Sequence, residues 1–309
     1  MGDVLVRALR TPDERFSDLP SYPFEPHYLD VPDCEGGHLR IHFVDEGPAG
    51  GEPVLLMHGE PSWSFLYRKM IPVFVEAGFR AIAPDLVGFG RSDKPADRRD
   101  YTYERHVSWM RSFLDGLGAR DINLVCQDWG GLIGLRLVAG DPDAFARVIA
   151  SNTGLPTGDQ KLSDAFTAWR DYSQQVPDFN VGQIVQGGCK TELPPEVVAA
   201  YDAPFPEDAF KEGPRIFPSL VPISGDDPSA EANRRAWESL ARFDKAFLTA
   251  FSDGDPITRG GERVFQKLVP GTKGQPHVTI AGAGHFVQED KGEEFARIAV
   301  DFIRTTTHD

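Results

Sequence analysis

VCQDWGG, residues 125–131, ends the apolar run INLVC and opens the small-residue stretch GGLIGLRLVAG. A buried strand that turns sharply into a helix exposes one side chain at the carboxyl edge of a parallel sheet, where ligands of such sheets bind. Here that side chain is Asp128, followed by Trp129 and two glycines. On these seven residues two readings compete. Asp128 is either a nucleophile presented by the turn or an N-cap for a helix starting near Gly130, a position that aspartate fills well. The rest of the chain has to separate them.

Outward from the turn the same pattern recurs. Short β-type runs, VLLMH (54–58), RAIAP (80–84), INLVC (122–126), RVIAS (147–151), AFLTAF (246–251) and HVTIA (277–281), alternate with helical stretches. Nearly continuous apolar strands alternating with helices predict an α/β fold, a mostly parallel sheet with helices on both faces. Val107, Met110, Leu114 and Leu117 fall at helical spacing with Gly118 as a stop, and Phe295, Ile298 and Phe302 predict a last helix. The alternation breaks between 155 and 229, a stretch rich in Pro, Gly and aromatics without a strand candidate. It is too long for a plain loop and is expected to form a helical cap. The expected organisation is therefore core 1–154, cap 155–229 and core 230–309.

A net charge of −15 argues against nucleic acid and anionic membranes as partners and favours a small neutral ligand. No apolar run approaches the ~18 residues of a membrane span, and MGDVLVRALRTPDE lacks a secretory pattern, so a soluble, cytoplasmic protein is expected, and separately a monomer. Cys34, Cys126 and Cys189 form neither a CxxC pair nor a zinc spacing and are expected to be reduced thiols. The histidines and carboxylates show no metal spacing, so no metal and no organic cofactor is expected, with water as co-substrate. GFGRSDKP (88–95) lacks the Lys-Ser/Thr ending of a phosphate loop.

Three further segments favour the nucleophile. In MHGEPSWSFLYRKM (57–70), His-Gly directly follows a strand, the position that donates a backbone N–H to an oxyanion; the donors here are the amides of Glu60 and Trp129. AGAGH (281–285) sets His285 after the last strand as general base. FSDGDPI (251–257) offers Asp255, before proline, as the acid that orients the imidazole, while Asp253 suits a turn. Asn152, after RVIAS, occupies an alternative acid position but its amide carries no charge. The order nucleophile, acid, histidine is that of α/β-hydrolases. A carboxylate needs no base to displace a leaving group from saturated carbon; the histidine is needed only to activate the water that hydrolyses the resulting ester.

Taken together, HGEPSWSFLYRKM, PDLVGFGRSDKP, VCQDWGG, FTAW, SDGDPIT and AGAGHF resemble a haloalkane dehalogenase of the α/β-hydrolase fold over nearly the whole chain. The resemblance is to the branch in which two tryptophans bind the halide. It implies Trp129 and Trp169 as halide donors, and conversion of a haloalkane to a primary alcohol, halide and proton. Indole N–H is a pure donor with no lone pair to repel an anion. It further implies a pocket wall containing Phe166, with Leu132 and Pro222, and more weakly Val221, Phe205 and Pro206. The branch with asparagine after His-Gly is excluded, because Glu60 stands there. Bulky aromatics in the cap favour short chlorinated or brominated alkanes. The rival readings are an epoxide hydrolase, for which the cap supplies only Tyr172 and Tyr201 as proton donors, and a non-catalytic binding protein of the same fold.

Overall fold

Wholly buried strands form the middle of the sheet. The computed structural model describes residues 6–307, so the first five residues of the N-terminal stretch read above lie outside it. The strands are β1 (Ala8–Leu9), β2 (His27–Pro32), β3 (His38–Glu46), β4 (Pro53–Met57), β5 (Arg80–Pro84), β6 (Lys94–Pro95), β7 (Ile122–Gln127), β8 (Phe145–Ser151), β9 (Phe247–Ser252) and β10 (Val278–Ile280). Eight of them form one sheet in the order β10-β9-β8-β7-β4-β5-β3-β2, while β1 and β6 pair separately. From β5 to β10 every pairing is parallel. The hairpin β2–β3 adds antiparallel strands at one edge. Sequence reading did not predict this hairpin: HYLDVP and HLRIHFVDE are interrupted by His, Asp and Arg and lack the continuous apolar run that marks the central strands.

Helices α1 (Ile71–Glu76) and α10 (Val287–Thr305) pack on each other, and α2 (Tyr103–Leu117), α3 (Trp129–Gly140) and α8 (Ala230–Leu240) form a second group, so the sheet is covered by two helical layers. Thr102 caps α2 by accepting from Arg105 N–H, and Gly118 ends it in the left-handed region at φ 61°. Between β8 and β9 come α4 (Asp164–Gln175), α5 (Val181–Gly188), α6 (Pro195–Asp202) and α7 (Glu212–Leu220), before α8; α4 packs with α7 and α5 with α6. The remaining helix, α9 (Gly261–Leu268), lies against β9.

Register sets the site. Met57 of β4 pairs with Cys126 of β7, so His58-Gly59-Glu60 and Gln127-Asp128-Trp129 leave the sheet side by side. Gln127 pairs with Ser151 of β8, which brings Asn152 next to Asp128. Parallel pairing thus gathers segments remote in sequence at the carboxyl edge.

Candidate active site

Asp128 sits on a strained turn with φ 52° and ψ −128°, a conformation unusual for any residue with a Cβ. Its backbone is held on both sides: its N–H donates to Asn152 O at 3.0 Å, and its carbonyl accepts from Gly131 N–H and the Thr153 hydroxyl. The turn fits only because its neighbours lack side chains. A Cβ on Gly130 would lie 2.0 Å from Met57 O, one on Gly131 2.0 Å from Thr153 Oγ1, and one on Gly59 2.2 Å from Asp128 Oδ1. This accounts for both glycines after Trp129 and for the one after His58. The Asp128 side chain caps nothing in α3. Instead its Oδ1 accepts the Glu60 N–H at 2.7 Å, while Oδ2 lies 3.5 Å from His285 Nε2.

His285 is buried and fixed at several atoms. Nδ1 is 3.1 Å from Asp255 Oδ2. Asp255 is itself set by the N–H groups of Ile257 and Thr258 and by the Thr258 hydroxyl. Asp253 points elsewhere and accepts from Gly282 N–H. Burial opposes charge on the imidazole, but Asp255 and Asp128 outweigh it and raise His285 to about 10. In Asp255 burial is likewise outweighed by the imidazolium and by hydrogen bonds, which lower its carboxyl. Two supports were not anticipated from sequence. Gln127 Nε2 donates to His285 O at 3.2 Å and stands 3.0 Å from Nε2, and Asn152 Nδ2 donates to the carbonyls of Gly284 and His285 at 3.0 Å. Gln127 directly precedes the nucleophile candidate, the one signal that pointed to it.

These groups open into a cavity of about 1190 Å³ between the core and α4, α5 and α7. Trp129 and Trp169 both line it, as do Phe166 and Leu132. Trp129 is wedged edge-on between Tyr103 and Phe217, whereas Trp169 comes from α4 and lies over Tyr172. The Glu60 carboxyl is buried, with Oε1 unpartnered among the described residues. Burial, together with the charge of Asp128, raises it well above the usual carboxylate range, against weaker pulls from His285 and the nearby Trp169. Pro222 is a correction: it is buried but not part of the wall. The chain becomes extended at Val221 as α7 ends, so Val221 faces the cavity and its successor turns away. Phe205 and Pro206 also stand apart from the wall. Of the two cap phenols, Tyr172 reaches the cavity and Tyr201 does not: it donates to the buried Glu289 carboxylate.

Residues 52–292 match the family model for the alpha/beta hydrolase fold. A haloalkane dehalogenase of Psychrobacter cryohalolentis is 59% identical over 298 residues, covering 96% of this chain and 98% of that protein. One from Mycobacterium marinum is 49% identical, covering 93% and 97%. Among solved structures, a tetrameric haloalkane dehalogenase from Paraglaciecola agarilytica superposes with a TM-score of 0.88 at 37% identity, covering 98% of this chain and 99% of that one. With such identity over nearly the full length, the chain belongs to the haloalkane dehalogenases, hydrolases of carbon–halide bonds built on the α/β-hydrolase fold.

Proposed function

We propose that Asp128 Oδ2 attacks the halogen-bearing carbon of a haloalkane in line with the departing halide, leaving an alkyl ester on Asp128. Oδ1, already cradled by the Glu60 N–H, remains as the ester carbonyl oxygen. His285 takes a proton from water, which adds to that carbonyl carbon, and the oxyanion forming on Oδ1 meets the amides of Glu60 and Trp129. Collapse of the tetrahedral adduct breaks the bond from the carbonyl carbon to the alkoxy oxygen, which takes the proton of the added hydroxyl and departs as the alcohol, so Asp128 is regenerated as a carboxylate with a net release of halide and one proton. Asp255 holds the imidazole and stabilises its charged form. The indoles of Trp129 and Trp169, both on the cavity wall, receive the halide, the arrangement of the two-tryptophan branch. A Glu60 carboxyl raised towards its neutral form adds little repulsion to the anionic nucleophile or the leaving halide.

The observation that carries this reading is the carboxylate of Asp128: free of any capping bond, seated on the Glu60 amide, and facing His285 across a cavity that holds both indoles. Epoxide opening by a phenol pair is disfavoured, since Tyr201 is committed to Glu289. The test is halide release from 1-bromobutane, with styrene oxide as control substrate. His285→Ala is expected to release one bromide per site and stall as the alkyl-enzyme, Asp128→Ala none, and Trp169→Phe is expected to slow the first release. Complete loss of the first bromide in folded His285→Ala would refute the division of labour, and diol from styrene oxide would favour the rival. For assembly, the tetramer of the Paraglaciecola relative replaces the expected monomer as the working state, and sedimentation velocity would separate the two.

A further inference from the structure

We propose that this site, read as the dehalogenase site above, is shaped for long, terminally halogenated chains that end in a carboxylate, with Lys190 and Arg259 receiving the far end. A cavity of about 1190 Å³ exceeds the ~300–1,000 Å³ that encloses drug-sized ligands, far more than a short haloalkane fills. Its walls are left wide where side chains would fit: at Gly154 and Gly187, both lining the cavity, an added Cβ would meet nothing within 4 Å. The apolar lining also continues to the outside. Of the five large hydrophobic residues exposed on the described surface, Tyr172, Val264 and Leu268, at 45%, 43% and 44% exposure, all belong to this lining. Val264 and Leu268 are one turn apart on α9 and share a face. An alkyl chain reaching from Asp128 to this rim would cover apolar surface that water otherwise wets.

Charge at the mouth supplies the second half. Acids outnumber bases 47 to 32 in the chain, yet beyond Asp128, Glu60 and His285 the charged residues lining the cavity are Lys161, Lys190 and Arg259, all cations. Lys161 is paired with Asp164 at 2.9 Å. Among the described residues, neither Lys190 nor Arg259 has a carboxylate at ion-pair distance. They approach one stretch of backbone from two sides. Lys190 comes from the α5–α6 connection, and its stem lies where a Cβ on Gly254 would come within 2.4 Å of Cε; Arg259 donates to the carbonyl of Asp253 at 3.2 Å. A cap cation and a core cation at the open end of an apolar cavity, on a surface that is otherwise acidic, select a chain with an anionic terminus.

The test measures bromide release for ω-bromoalkanoates from 4-bromobutanoate to 11-bromoundecanoate, each beside its neutral amide, with 1-bromobutane as reference. The expected result is a kcat/KM that climbs with chain length and, for the longer members, favours carboxylate over amide. In Lys190→Ala/Arg259→Ala the carboxylate-to-amide ratio should drop by about tenfold, the combined effect of two exposed charge contacts. Added salt should erode the same ratio in the unmodified protein. Equal rates for carboxylate and amide throughout, or a double variant that lowers both alike, would overturn the anionic terminus, and a rate falling with length would overturn the long chain. Bromide release from 1-bromobutane alone would therefore sink this inference while sparing the dehalogenase reading; no bromide from any compound would sink both.

Discussion

Asp290→Ala probes whether the cap is part of the histidine's support. In the first turn of α10, the Asp290 carboxylate accepts from Lys190 N–H at 2.8 Å, Thr191 N–H at 2.8 Å and the Thr191 hydroxyl at 2.6 Å, all from the cap. The same carboxylate accepts from Gly284 N–H at 2.7 Å, one residue before His285. The His285 N–H in turn donates to Gly188 O at 2.8 Å, at the end of α5. Alanine removes both acceptor oxygens. Lys190 and Thr191 are exposed, so water replaces their bonds; the partly buried Gly284 N–H is the group left unsatisfied. The expected cost is thus at the lower end of ~1–3 kcal/mol. Because only ester hydrolysis uses His285 as a base, a loosened Gly284 should slow that step by about tenfold and leave alkylation nearly unchanged. Urea unfolding measures the first quantity, and stopped-flow halide bursts followed by steady-state turnover measure the second. A variant of reduced stability in which both steps slow equally, or in which hydrolysis keeps its rate, would refute the reasoning.

Other perturbations test other parts of the architecture. Gly131→Ala drives a Cβ to 2.0 Å from Thr153 Oγ1 and 2.6 Å from Thr153 Cβ, so it should cost ~1–3 kcal/mol in a thermal melt, with partial recovery in Gly131→Ala/Thr153→Gly. No recovery would place the strain elsewhere. Arg68 makes a two-pronged pair with the buried Glu289, and Arg68→Met should destabilise by ~3 kcal/mol, the lower end of the range because Lys69 stays 3.0 Å from the same carboxylate. Urea unfolding should show Arg68→Met/Glu289→Leu to be more stable than Arg68→Met alone; the reverse order would count against a penalty from uncompensated charge. His285 is raised from 6.5 to about 10 by its carboxylate neighbours against the effect of burial, so its contribution to stability is complete below pH 6.5 and disappears as pH climbs through 10. The stability gap between the unmodified protein and His285→Gln should shrink over that window, and a gap widening with pH would contradict the assignment.

What the sequence revealed, and what it hid, follows from the range of the interactions. Asp128, Glu60 and His285 were legible because each comes within five residues of the end of a strand that announces itself as an apolar run, and parallel strands deliver their carboxyl ends to one edge. The choice of Asp255 over Asp253 rested on local loop chemistry, and Asp255 is the one within reach of Nδ1. The supports of His285 were not legible. Gln127, Asn152 and Gly188 acquire their roles from contacts with the 284–285 backbone made by chain distant in sequence, Gly188 being carried on the cap, and Asp290, though only six residues from Gly284, ties that backbone to cap residues a hundred positions away. No periodicity encodes such contacts. The width of the cavity was hidden for a similar reason: aromatics in α4 suggested a tight pocket, whereas glycines on other segments and the spacing of cap from core determine its volume.

His285 is subject to two opposing influences, and the reaction itself changes their balance. With Nδ1 directed at Asp255, its Nε2 is placed to accept from Gln127 Nε2 at 3.0 Å, a contact that favours the neutral imidazole. The negative charge on Asp128, with Oδ2 3.5 Å away, favours the imidazolium and helps hold His285 near 10. A protonated histidine cannot accept a proton, but the first step does not need it to: displacement of halide requires only the carboxylate. Esterification then converts Asp128 from an anion into a neutral group, removing one of the two charges that sustain the imidazolium while leaving burial and the Gln127 contact in place. The imidazole is thereby shifted towards its neutral, basic form in the intermediate that requires a base. Hydrolysis restores the carboxylate and with it the preference for the charged ring, so the proton taken from water stays on the imidazole until the next esterification weakens its hold.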